Sequence, residues 1–178
     1  LVERLLTEQL ADGGWNCEAP DRSLRASFNT TIVVLEALLA YAQSERATVD
    51  VTDARQRGQE YLLERRLFRR RSTGAVIARD RKGGAAWSEF AMPTWWHYDV
   101  LRGLEYFRQV GDAPDPRVAE AVALVAAKQT REGWWLMDTR YPGTMPVEID
   151  AAPGQPSRWL TLRALRVLRW AGAGPHAT

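Results

Sequence analysis

Residues 94–109, TWWHYDVLRGLEYFRQ, decide how this chain folds. Placed on a helical wheel they put Asp99, Arg102 and Tyr106 on one side and Val100, Leu101, Leu104 and Phe107 on the other, with His97 at the edge of the apolar side. The spacing predicts a single helix over these residues, with Thr94 as its cap. The apolar face is expected to pack outward on a partner helix. The polar face is expected to line a shared central space.

Working outward, the same pattern recurs. Leu35-Glu36-Ala37-Leu38, Leu101-Arg102-Gly103-Leu104 and Leu162-Arg163-Ala164-Leu165 align at offsets of 66 and 61 residues. Each block follows a loop, and each loop follows another helical pattern, so the unit is outer helix, loop, inner helix, three times over. The first repeat spans about 1–45, the second 50–110 and the third 115–171. Together they make one domain over 1–172 with a frayed tail at 173–178. The inner helix of the first repeat is expected to start at Ser27 or Asn29. The outer helix of the second should run from Val51 to about Arg70. In the third, Pro116 opens the outer helix and Ser157 caps the inner one, which ends at Trp170. Residues 72–92 and 141–156 read as long loops.

The joins repeat as well. Gln9-x3-Gly13-x-Trp15 returns as Gln129-x3-Gly133-x-Trp135, while the middle copy keeps only the upstream part around Arg57–Leu63. The glutamine is expected to bond the orphan carbonyls of the helix end, the glycine to allow a left-handed turn, and the tryptophan to close over the join. Gln-x3-Gly-x-Trp resembles the QW motif of squalene–hopene and oxidosqualene cyclases. The chain as a whole resembles the bacterial squalene-cyclase-like, or prenyltransferase-repeat, proteins. SFNTTIVVLEALLAY, GQEYLLERRLFRRRSTG, WWHYDVLRGLEYFR and PSRWLTLRALRVLRW carry the likeness. It implies an all-α fold, an α/α toroid with parallel inner helices around a cavity. Three helical hairpins would make half of such an α/α barrel. Its completion would come from residues missing upstream of Leu1 or from a second copy.

Composition narrows the function. Net charge is +2, too little for a nucleic-acid binder, and no recognised nucleic-acid motif is present. The apolar run Ile32–Leu35 stops at Glu36, far short of the roughly 20 residues a helix needs to cross a bilayer, so no transmembrane segment is expected. A single cysteine, Cys17, excludes an internal disulfide and suits a cytoplasmic protein.

Candidate site residues follow from the faces. Glu36, Arg102 and Arg163 would form one row across the inner helices, an ion-pair ladder or an anion site. Asp99 is the candidate general acid, and His97 a second catalytic candidate or a ligand. Tyr106, Trp95 and Trp96, with Trp87, Trp134 and Trp159, would line a cavity for an apolar, isoprenoid-type ligand. Prenyltransferases of the resembled group hold zinc with Asp, Cys and His. Here only Cys17, His97 and Asp12 (or Glu18) are available, and the Asp-x-Cys spacing is absent, so no cofactor is expected. The Asp-x-Asp-Asp acid motif of the cyclases is missing too; Glu148-x-Asp150 is the nearest acidic pair. Arg65, Arg66, Arg69, Arg70 and Arg71 read as a solvated patch at a helix end, or as a contact for anionic lipid. A noncatalytic scaffold that holds a partner protein on the concave face is the alternative function, and a zinc-dependent transferase a third.

Overall fold

The computed structural model describes residues 1–19, 21–77, 86–143 and 146–173. The chain gathers into two compact units, Leu1–Arg65 and Arg66–Thr178. Both are built from helices, with one two-stranded ladder in the second.

The first unit holds α1 (Val2–Thr7), α2 (Phe28–Tyr41) and α3 (Val49–Leu63), with a π-helical turn over Ala42–Arg46 after α2. Ser27 caps α2 by accepting the Thr30 N–H, and Thr48 caps α3 through the Val51 N–H. Ile32, Leu35, Leu38 and Leu39 of α2 meet Val51, Ala54, Tyr61 and Leu62 of α3 in a dry core. Gly58 is there because the helices approach closely: a Cβ would stand 2.8 Å from Leu35 and 2.7 Å from Trp15. Helix α3 stops at Leu63, not near Arg70. Arg66 and Leu67 both take positive φ, so the run of arginines lies on turns beyond the helix. Arg69 pairs with Glu120 through a two-pronged contact, which removes it from the expected free patch.

The second unit holds α4 (Val100–Val110), a short 3₁₀ turn at Pro116–Val118 running into α5 (Ala119–Ala127), and α6 (Arg158–Trp170). These three helices pack on one another. β1 (Trp135–Leu136) pairs antiparallel with β2 (Pro156–Ser157), Trp135 opposite Ser157. As the sequence predicts, Ser157 caps α6 and the helix ends at Trp170. Helix α4 departs from expectation. It begins at Val100, six residues after Thr94, and its cap is Asp99. Aspartate is the better cap because its carboxylate accepts a backbone N–H more strongly than a threonine hydroxyl does. The two-faced reading of α4 also fails. Every residue from Val100 to Phe107 is buried, Arg102 and Tyr106 with the leucines, so this helix presents no open polar face. No helix among the described residues is long and apolar enough to cross a membrane. Of the predicted loops, residues 78–85 and 144–145 lie outside the described residues, as does the tail from 174 onward.

Both full Gln-x3-Gly-x-Trp joins close with the same bonds. Gly13 and Gly133 take φ of 89° and 87°. In each turn the glycine N–H donates three residues back, to Leu10 and to Thr130, and those residues in turn bond the carbonyls of Gly14 and Trp134. The indole N–H of Trp15 reaches the Leu5 carbonyl at 2.7 Å, and that of Trp135 the Val125 carbonyl at 2.8 Å. The tryptophan, then, and not the glutamine, satisfies a helix-end carbonyl; both glutamines instead bond the glycine carbonyl of their own turn. The physical reason is reach: a rigid indole lying across the join carries its donor to the far helix end. The backbone N–H groups of the two tryptophans donate to Thr31 and Thr161, both at 3.0 Å. Each threonine stands four residues after its serine cap, a correspondence the expected alignment overlooks. In α4 the same place is Gly103, where a Cβ would lie 2.5 Å from the Tyr98 hydroxyl.

Candidate ligand-binding ledge before helix α4

Residues 94–99 are a tightly bonded turn, and it sorts its side chains by alternate use. Tyr98 and Asp99 go inside. Tyr98 donates its hydroxyl to the Leu67 carbonyl at 2.7 Å and sets its ring edge-on to Trp87, centroids 5.5 Å apart. Asp99 is 1% exposed and accepts the Arg102 N–H at 2.7 Å. Burial pushes its carboxyl above the ordinary range; the Arg163 charge, the Arg102 N–H, the Arg102 charge and the Ala91 N–H pull the other way without overcoming it. Asp99 is thus a helix cap, not an acid facing a cavity.

Arg102 acts back on the same turn. Its guanidinium donates to the Trp95 carbonyl at 2.8 Å and to the His97 carbonyl at 2.7 Å. Between those carbonyls the indoles of Trp95 and Trp96 stay outside, 50% and 58% exposed. Trp95 holds φ at +49°, a left-handed conformation that costs a bulky side chain about 1–2 kcal/mol. The peptide bond Met92–Pro93 just before the turn is cis. His97 stacks flat between two rings, 3.8 Å from Trp96 and 3.5 Å from Tyr141 by centroid. The result is an ordered aromatic ledge with two open indole surfaces.

Behind the ledge runs a polar row of alternating sign, Asp99, Arg102, Glu105 and Arg108, three residues apart along α4. Glu105 Oε1 accepts from Arg108 at 2.6 and 3.1 Å, while Oε2 is buried and stands 4.0 Å from Arg163 Nε. Within this unit, therefore, Arg163 has Glu105 and Asp99 as its acidic neighbours. Of the expected row, Glu36 belongs to the first unit and Arg102 and Arg163 to the second. Counted from the caps Ser27, Asp99 and Ser157, Glu36 is the ninth residue, Arg102 the third and Arg163 the sixth. The three Leu-x2-Leu blocks share a pattern but sit about one turn apart on their helices. Tyr106 is buried beside Phe107 and lines no open surface.

Glu105 and Tyr141 are the residues that sequence reasoning passed over. The alternating Asp-x2-Arg-x2-Glu-x2-Arg spacing signals the first. Nothing local signals Tyr141, which arrives from a distant loop. That loop is steered to the ledge by the Phe90 N–H, which donates to Asp138, and by the bridge between Ala91 and Thr139.

The other candidates have separate duties. Asp12 accepts the Ala26 N–H at 3.0 Å and ties its own loop. Cys17 is exposed, with its backbone N–H on Thr30. Both belong to the first unit and His97 to the second. No group of three or more His, Cys, Asp or Glu able to hold a metal occurs among the described residues. Glu148 pairs with Arg140, and Asp150 accepts the Ser157 hydroxyl. These two acids border a pocket of about 260 Å³ with Ile149, Ala151, Pro156 and Arg158. No family model, curated protein or solved structure matches this chain.

Proposed function

We propose that this chain is a squalene-cyclase-like α/α-toroid domain that binds an apolar, isoprenoid-type ligand without transforming it. The observation that carries the reading is the Trp95–Trp96 ledge. A strained turn presents two indoles to solvent, and a buried arginine holds that turn in place. Strain and a buried cation at one exposed aromatic pair are the signature of a preorganised binding surface. The repeated Gln-x3-Gly-x-Trp joins, which share their indole, threonine and glycine bonds, support the cyclase-like reading of the architecture. A binding role fits better than catalysis because Asp99 is taken up as a helix cap.

The test is titration with farnesol and squalene in detergent-free dispersion, followed by tryptophan fluorescence and by centrifugal separation of bound ligand. Saturable binding is expected. Trp96→Ala should weaken it at least tenfold, and Arg102→Ala, which removes the single nitrogen that donates to both carbonyls, should weaken it less. Binding that is absent, or indifferent to both substitutions, ends this reading. A partner protein retained on the ledge in place of the ligand would favour the scaffold alternative.

A further inference from the structure

The last helix carries a second exposed surface that the ledge does not explain. Helix α6, RWLTLRALRVLRW, contains four arginines and no acidic residue. Its inner side, Leu160, Ala164, Val167 and Leu168, is buried in the core of the unit. Its outer side exposes Arg158, Trp159, Leu162, Arg166 and Arg169. Arg163 leans on Glu105, but the side chains of Arg158, Arg166 and Arg169 have no ion-pair or hydrogen-bond partner among the described residues. Trp159 is 46% exposed and anchored, its indole N–H donating to the Ile149 carbonyl at 3.0 Å. That bond ties Trp159 to Ile149, itself exposed and two residues from the exposed Val147. Trp159, Leu162 and unpaired guanidinium groups therefore share one strip, about 17 Å long from Arg158 to Arg169 at about 1.5 Å per residue.

We propose that this strip is a docking surface for an anionic lipid membrane. Charge complementarity selects the occupant. Arg166 and Arg169, unpaired on one helix side, need phosphate or carboxylate groups spread over a surface, while Arg158 borders the same pocket as Glu148 and Asp150 and adds less. Trp159 and Leu162, interleaved with them on the helix, need an apolar layer immediately beneath those charges. A lipid interface supplies both in that order, with tryptophan at headgroup depth and arginines on the phosphates. A nucleic acid satisfies the arginines but leaves the apolar groups in water. The chain would lie on such a membrane and not span it.

The experiment is cosedimentation of the whole chain with vesicles of phosphatidylcholine alone and of phosphatidylcholine with 30% phosphatidylglycerol, at about 0.15 M salt. Binding to the anionic vesicles only is expected. Each arginine at such a surface contributes about a fivefold factor, so Arg166→Gln with Arg169→Gln should weaken binding about 30-fold. Both positions are exposed, and an unchanged circular dichroism spectrum would confirm that the variant folds. Trp159→Phe should remove most of the blue shift of tryptophan emission on binding. Equal affinity for both vesicle types, or an unaffected double variant, would overturn the proposal. So would tight binding to a duplex DNA oligonucleotide with the vesicles ignored.

Discussion

Replacing Asp99 separates a helix cap from a working acid. In Asp99→Ala the Arg102 N–H at the start of α4 loses its acceptor, which costs about 1 kcal/mol. The Ala91 N–H loses its acceptor as well, and a buried donor left unpaired costs roughly 1–3 kcal/mol more. The sum is a loss of about 2–4 kcal/mol. Asp99→Asn keeps a carbonyl oxygen at the cap and is expected to stay within about 1 kcal/mol of the native protein, since asparagine caps as well as aspartate. The pH dependence follows from burial. The folded state raises the Asp99 carboxyl above its ordinary value of 3.8, so it binds that proton more tightly than the unfolded chain does. This contribution is full below 3.8 and is lost as pH rises through the folded value. Asp99→Asn lacks it, so the variant should gain on the native protein as pH increases across that window. Urea unfolding followed by far-ultraviolet circular dichroism at several pH values measures all three quantities. If Asp99→Asn costs as much as Asp99→Ala at neutral pH, the negative charge beside Arg163 matters more than the cap, and the reasoning is refuted.

Two further outcomes follow from the glycines. Gly13→Ala and Gly133→Ala both force alanine into a left-handed turn, costing about 1 kcal/mol. Only at Gly13 does the new Cβ also strike backbone, 2.6 Å from the Arg57 carbonyl oxygen, while at Gly133 nothing is nearer than 3.7 Å. Gly13→Ala should therefore be clearly the worse of the two in thermal unfolding; equal losses would mean the turn alone sets the cost. Gly103→Ala should destabilise by about 1–3 kcal/mol through its clash with the Tyr98 hydroxyl. The added cost of Gly103→Ala should shrink in a Tyr98→Phe background, and a double-mutant cycle with no coupling would contradict the contact.

Much of the helical plan can be read directly from residues. Ser27 and Ser157 are strong caps followed by apolar periodicity, and both start helices where expected. Gly13 and Gly133 mark left-handed turns because only glycine adopts them without penalty. The stretch 94–109 was harder for a physical reason. Trp95, Trp96 and Tyr98 keep helical spacing, yet Asp99 and Arg102 together supply bonds that stabilise a turn instead, and a wheel diagram cannot weigh side-chain to backbone bonds. Faces were harder still. By polarity Arg102 and Tyr106 look set to line an open central space, but each is accommodated in the interior, Arg102 by the carbonyls of its own preceding turn. Of the candidate site, Trp95, Trp96 and His97 could be named from sequence, whereas Tyr141 depends on a loop 44 residues downstream of His97.

The indole fastening of Trp15 and Trp135 bears on how such a chain can change length. Eleven residues separate Trp15 from Ser27 and twenty-one separate Trp135 from Ser157, yet the two joins close alike. The length between fastening and cap can thus differ by ten residues while the join keeps its bonds, provided that the contacts this segment makes, such as Tyr141 on His97 and Asp150 on Ser157, are kept.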